Sequence, residues 1–384
     1  MEVRSKTFCP EIKDRNKILE KKMRIGIITF HAVHNYGAVL QAYGLQEFLR
    51  SQGHEAYVVD YRPKYLVDIY KPMSLKRASV GGFTQRMKLL LREFMVYPIR
   101  KRREKYFNAF INSALQPCAL DRSDVGNEFD AFVFGSDQIW NPIICNGLDP
   151  MFLGDFPAAK GRLLVSYAGS LGSIKHLSSE QRKELIDRLS KFSALSCREQ
   201  SLSKFISESL SLKVETVLDP VLLAGRKYFD KLATQVDGSK PYLLLFTLSV
   251  NENARQVAYN IAKSKNLRVV EIMSFQMTIK GKNLLQAVPV PDFLGYIRSA
   301  EFVVTSSFHG TALSVLFGKE LFYVPDDPKT GERAANLLHM LGIGDRVWNH
   351  GCENDVSPID YKSVFSTLDV ERKKSADFIK SALG

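Results

Sequence analysis

A buried-looking strand, Phe302-Val303-Val304-Thr305, runs through Ser306, Ser307 and Phe308 into His309, Gly310, Thr311 and an apolar helical stretch. In an open α/β sheet such a junction is where ligands bind, because unpaired helix N–H groups and the positive helix end favour anions. An imidazole there can touch an anion or move a proton, and small residues on both sides let a ligand approach the backbone. The competing reading of His309 is a capped core histidine. Arg198 stands at a second strand-to-helix junction, where its planar fork can meet a carboxylate or phosphate with two hydrogen bonds. Its alternative is a surface arginine paired with Glu199 or Glu208. After the first strand, His31, His34 and Asn35 crowd one loop and offer polar contacts to a substrate. Alternatively, Asn35 is an N-cap residue and the histidines face solvent. Asp137 and Trp140 follow another strand and suit a sugar: the indole stacks on a ring face while the carboxylate accepts hydroxyls or acts as their base. Otherwise Asp137 caps a turn and Trp140 fills an interface. Ser170, closing Tyr167-Ala168-Gly169, lines the same crevice, whereas Asp219-Pro220 reads as a structural turn.

The elements that must carry these residues alternate. Strands are expected at 24–30, 55–60, 130–135, 162–169, 193–197 and 214–218, with helices at 38–52, 179–191 and 198–210. A polar connector at 235–241 closes this series. A second series has strands at 242–248, 267–272, 301–305 and 320–324, with helices near 252–264, 291–300, 310–317 and 332–341. Alternation of this kind makes parallel sheets, so the chain divides into a first domain at 23–234 and a second at 241–350. A final helix within 351–384 packs back. No GxGxxG surrounds Gly37, which argues against a dinucleotide enzyme.

The 384 residues carry a net charge of +12, with 45% hydrophobic and 24% charged residues, as in soluble globular chains of about two domains. No stretch approaches a membrane span, and residues 1–22 form a polar extension without a signal-peptide core, so the protein is expected in the cytoplasm, with Met23 a plausible start. The five cysteines show no CxxC spacing and are expected as thiols. Residues 76–105 hold ten Lys/Arg against two Glu. They read as a basic amphipathic insertion over 76–110, whose Arg100, Lys101, Arg102 and Arg103 either face solvent or dock on anionic lipid or an acidic acceptor. Nucleic acid is not expected, since no recognition motif accompanies the charge.

Several stretches resemble the polysaccharide pyruvyl transferase family, in the order that family shows: Asn35-Tyr36-Gly37-Ala38, Gly135-Ser136-Asp137-Gln138-Ile139-Trp140-Asn141-Pro142, Ser196-Cys197-Arg198-Glu199, Leu218-Asp219-Pro220 and Ser307-Phe308-His309-Gly310. A weaker match is Arg333-Ala334-Ala335-Asn336. The resemblance implies two Rossmann-like domains facing a central cleft, similar to B-type glycosyltransferases. It further implies transfer of a pyruvyl group from phosphoenolpyruvate to a sugar, usually as a cyclic ketal, during surface polysaccharide (exopolysaccharide or capsule) biosynthesis. Arg198, Phe308, His309, Gly310 and Thr311 would then hold the donor, with His309 its general acid or a phosphate ligand. His31, His34, Asn35, Asp137, Trp140 and Ser170 would meet a sugar of a lipid-linked or polymeric glycan. One branch of the family has a basic residue where this chain has Ser307, which leaves part of the anion site unassigned. The alternatives are a nucleotide-sugar glycosyltransferase, which needs a carboxylate for a ribose near the second-domain crevice, and a non-catalytic glycan-binding protein of the same fold.

No cofactor and no metal are expected, because the histidines and carboxylates lack ligand spacing and anions have arginine and helix termini instead. Activity should survive exhaustive chelation; a loss restored by added metal would overturn this.

Overall fold

The computed structural model describes residues 22–74, 82–119, 129–238, 240–274, 284–326, 332–349 and 357–384. Nearly all of the expected polar extension at 1–22, Cys9, Cys352 and residues 76–81 of the basic stretch lie outside these.

Two parallel sheets form. The first contains β1 (Arg24–Ile28), β2 (Glu55–Val58), β3 (Ala131–Phe134), β4 (Leu163–Gly169), β5 (Ala194–Cys197) and β6 (Glu215–Thr216), in the order β2-β1-β3-β4-β5-β6. The second contains β7 (Tyr242–Thr247), β8 (Arg268–Met273), β9 (Leu284–Leu285), β10 (Phe302–Thr305) and β11 (Glu320–Tyr323), in the order β11-β10-β7-β8-β9. β3 reads AFVF and β7 reads YLLLFT, buried at every position. Helices cover both faces of a parallel sheet, so its central strands are apolar throughout rather than alternating. The strand order reverses between β1 and β3 in one sheet and between β7 and β10 in the other, and the crevice beyond the carboxyl ends at such reversals is where ligands sit. The loops at 29–35, 135–140 and 306–307 all leave from these points.

The described helices are α1 (Tyr36–Ser51), α2 (Lys64–Val67), α3 (Phe83–Phe110), α4 (Ser179–Leu189), α5 (Gln200–Leu210), α6 (Pro220–Ala224), α7 (Arg226–Leu232), α8 (Glu252–Ser264), α9 (Val290–Ser299), α10 (Phe308–Leu316), α11 (Glu332–Met340) and α12 (Tyr361–Leu383). α1 is buried along most of its length because it lies between the sheets. Asn35 caps it by accepting the N–H groups of Gly37 and Ala38. Tyr36 then crosses to the second domain, where its ring stacks on Phe293 at 4.1 Å and its hydroxyl donates to the Val288 carbonyl at 2.8 Å. β4 is interrupted by a register shift between Ser166 and Gly169. There Ser166 donates to the Ser196 carbonyl, Ser196 donates to the Ser166 carbonyl, and the Ala168 N–H bonds Ser196 Oγ, so the buried ladder groups stay satisfied.

Two of the four α3 cations singled out from the sequence neither face solvent nor stand free to dock. Arg103 is 4% exposed and donates to the His34 carbonyl at 2.7 Å, and Arg100 pairs with buried Glu93 at 2.7 Å. Of the four cations singled out, only Lys101 and Arg102 are exposed. Cys118, Cys145 and Cys197 form no disulfide. No described helix is long and apolar enough to cross a membrane.

α12 ties the halves together. Tyr361 donates to the Lys319 carbonyl of the second domain. Fourteen residues on, the Ser375 hydroxyl accepts the buried N–H of Leu218 in the first at 2.9 Å. Ser375→Ala strands that N–H away from water and should cost about 1–3 kcal/mol, read as a lower denaturant midpoint at unchanged slope. A midpoint equal to wild type would show that α12 does not depend on this bond.

Candidate active site

Asp219, read from sequence as part of a turn, is the centre of the crevice. It caps α6 through Oδ1, which accepts the Val221 N–H at 3.0 Å. Its other oxygen, on a wholly buried side chain, takes Arg198 Nη1 at 2.9 Å and Ser136 Oγ at 3.0 Å, and lies 3.5 Å from His309 Nε2. Burial alone would push this carboxyl upward; the His309 and Arg198 charges outweigh it and hold Asp219 well below the usual carboxylate range.

Arg198 enters from the end of β5 with its side chain 4% exposed, so it is not a surface arginine. Nη2 bonds Ser170 at 3.1 Å, Asp137 and Glu199 lie 3.8 and 3.9 Å away, and the guanidinium sits 4.8 Å from the Phe308 ring centre. Burial works against its charge, but Glu199, Asp219 and Asp137 together raise its pKa above the ordinary value. Its charge is therefore largely committed within the protein.

His309 arrives from the other domain, at the first turn of α10, and is 9% exposed. Its imidazole lies directly on Gly37, where a Cβ would stand 2.1 Å from Nδ1. Among the described residues Nε2 makes no hydrogen bond, although Asp219 is near. Ser307 occupies the N-cap and accepts the Gly310 N–H, which accounts for a small hydroxyl there in place of a cation.

Arg333, on α11, belongs to this site and was not among the sequence candidates. Its guanidinium lies 6.0 Å from the Phe308 ring centre, and no carboxylate among the described residues forms an ion pair with it. Burial and then the Arg198 charge lower its pKa from the usual arginine value. The signal was present in the weak Arg333-Ala334-Ala335-Asn336 match. The structure thus brings together Asp137, Ser170, Arg198, Phe308 and His309 from the sequence candidates, and adds Ser136, Asp219, Arg333 and Gly37.

Other candidates sit elsewhere. Trp140 is wholly buried, its indole N–H donates to the Phe152 carbonyl at 3.1 Å, and its ring packs where any Cβ on Gly169 would fall. It offers no face to a sugar. His31 is 1% exposed and held by Asp60 at 2.9 Å on one side and the Thr29 carbonyl on the other. His34 stacks on Phe107 at 5.4 Å, and burial, assisted by Arg103, lowers its pKa to about 4. Neither histidine faces solvent. The Asn35 carbonyl oxygen is spent on capping α1. Gly310 faces Thr305 and Phe246, and the Thr311 hydroxyl bonds back to the Ser307 carbonyl, so both serve the packing of α10 rather than a ligand. Among the described residues, no group of three His, Cys, Asp or Glu side chains converges as metal ligands would.

The family model for polysaccharide pyruvyl transferase matches residues 35–328. No curated protein matches the chain. Among solved structures the chain is similar to the UDP-GlcNAc 2-epimerase of Neisseria meningitidis bound to UDP-GlcNAc, at 10% identity over 94% of this chain and 96% of that one, TM-score 0.44. It is also similar to the glycosyltransferase SnogD of Streptomyces nogalater, at 13% identity over 93% and 96%, TM-score 0.39, and to the UDP-GlcNAc 2-epimerase of Methanocaldococcus jannaschii, at 11% over 82% and 92%, TM-score 0.39.

The Gly37–His309 contact gives a test that touches no polar group. Gly37→Ala should fold normally by circular dichroism yet push the imidazole off its place beside Asp219, lowering turnover by about tenfold or more, as misplacement of a reacting group does. A crystal structure of the variant with the ring unmoved would overturn this account.

Proposed function

We propose that this chain, which belongs to the polysaccharide pyruvyl transferase family, transfers the pyruvyl group of phosphoenolpyruvate to a pair of sugar hydroxyls as a cyclic ketal in surface polysaccharide biosynthesis. The acceptor is a sugar of a lipid-linked or polymeric glycan, and the enzyme works in the cytoplasm without a cofactor or metal. The observation that carries this reading is a titratable imidazole from one domain facing a buried carboxylate and arginine from the other, beside a second arginine with no carboxylate partner among the described residues.

The steps follow from the donor's chemistry. A proton delivered to the methylene carbon makes the adjacent carbon cationic, and a first sugar hydroxyl bonds it, losing its own proton. The bond from that carbon to the phosphate oxygen then breaks, its electron pair leaving with inorganic phosphate, and a second hydroxyl closes the ketal as its proton passes to the departing phosphate. His309 Nε2 supplies the first proton, with Asp219 orienting the ring and stabilising its charged form. Arg333 meets the donor's anionic end, taking the part that Ser307 cannot. Asp137, its carboxylate held at the mouth of the β3 loop by the Gln138 N–H at 2.9 Å, is placed to accept a hydroxyl proton.

The glycosyltransferase alternative needs an open carboxylate at the second-domain crevice. Of the carboxylates near that edge, Glu271, within β8, is closed by Arg255 at 2.9 Å and Tyr259 at 2.8 Å, and Asp326, beyond β11, accepts Asn251 Nδ2 at 2.7 Å.

The test is mass spectrometry of a glycan acceptor incubated with phosphoenolpyruvate, coupled to phosphate release. Arg333→Ala should weaken donor binding by about 10–100-fold, the worth of a charge-assisted contact of about 1.5–3 kcal/mol. His309→Ala should lower turnover more than donor affinity if the ring is the acid, and should parallel Arg333→Ala if it only binds phosphate. Arg198 is a poorer probe, since its removal takes the closest cation from buried Asp219 and confounds donor binding with a stability loss of about 3–5 kcal/mol. Normal ketal formation by both variants would remove this site from the reaction.

A further inference from the structure

We infer that the first half of α3 is a membrane-docking face that seats in the headgroup layer of an anionic bilayer. Phe83, Met87, Leu91, Phe94 and Met95 are 79%, 46%, 56%, 63% and 56% exposed. Their spacing of four, four, three and one places them along one side of the helix. The helix seats on the rest of the protein from Glu93 onward, through Glu93, Val96, Arg103 and Phe107, whereas 83–88 is exposed on every side. Exposed helix surface is ordinarily polar; here large apolar side chains stand outward among the cations. Exposed Arg86, Lys88, Arg92, Lys101 and Arg102 flank it. Apolar side chains rimmed by cations fit the boundary between acyl chains and anionic headgroups. A second copy of the chain fits poorly, because pairing two such faces would set cation against cation in a protein already at +12.

The same helix reaches the site. Arg103, about 14 Å along the axis from Phe94 at 1.5 Å per residue, holds the His34 carbonyl at 2.7 Å in the loop that leads to Gly37 and His309. A glycan on a lipid carrier would thus be presented beside the cleft. That link to the acceptor rests on the pyruvyl-transfer reading; bilayer docking does not, and is measured without catalysis.

The full chain would be sedimented with vesicles of phosphatidylcholine and phosphatidylglycerol, or of phosphatidylcholine alone. Wild type should bind the mixed vesicles about tenfold more tightly. Phe83→Ser with Phe94→Ser should lose about that factor, and Arg86→Gln with Lys88→Gln and Arg92→Gln should flatten the salt dependence. Both sets are exposed, so circular dichroism should be unchanged. Failure of wild type to prefer anionic vesicles, or unaltered binding by both sets, overturns the inference. So does a wild-type dimer that the serine variant dissociates, which would assign the stripe to a second copy.

Discussion

The structure hangs on one buried carboxylate. Asp219 shares a single oxygen among Arg198, Ser136 and the approach of His309, and a charge without water is tolerated only when its partners are in place. Ser136 and Arg198, from the ends of β3 and β5, satisfy the charge within the first domain, and the start of α10 brings His309 to 3.5 Å from the same oxygen where the carboxyl edges of the two sheets meet. Gly37 completes the constraint from the first domain, since any larger residue would hold His309 away.

The polar groups behind this centre are arranged so that none of the loops can drift. Gln41 Nε2 donates to Thr29 Oγ1 at 2.9 Å, and Thr29 donates in turn to the Ser136 carbonyl at 3.0 Å. The loop after β1 and the loop after β3 are therefore locked to each other at the point where the strand order reverses. Gly135, at φ +112 and with a Cβ position only 2.3 Å from the Tyr167 carbonyl, lets β3 turn that tightly. Apolar packing between α1, α6 and α10 joins the domains, and the hydrogen-bonded chain holds the first-domain loops that face α10.

What could be read from sequence divides by range. Long periodic elements were legible: α8 occupies the expected 252–264, and the parallel sheets follow from alternation. α6 and α7, at five and seven residues, and the two-residue β9 are too short to show a period. At the site, each residue's local setting was readable and its partner was not. Nothing around Asp219 announces that it will meet Arg198, 21 positions away, or a histidine in the other domain. Trp140 failed for the complementary reason: an aromatic after a strand looks the same whether it stacks on a sugar or, as here, fills the space left by Gly169.

Charge balance narrows where an anionic donor can lie. Asp137, Glu199 and Asp219 gather on Arg198, and an anion placed among them would meet repulsion from three sides before reaching the guanidinium. Phe308 touches both arginines, its ring centre 4.8 Å from Arg198 and 6.0 Å from Arg333; Arg333 feels Glu199 and Asp137 but pairs with neither. In the proposed reaction the phosphate therefore belongs beside Arg333, near the positive end of α10. The carboxylates around Arg198 are then left to the groups that must lose protons, the sugar hydroxyls. The first domain brings Asp137, Arg198 and Asp219 to the site, and the second brings His309, Phe308 and Arg333, so each domain supplies one half of the proposed chemistry.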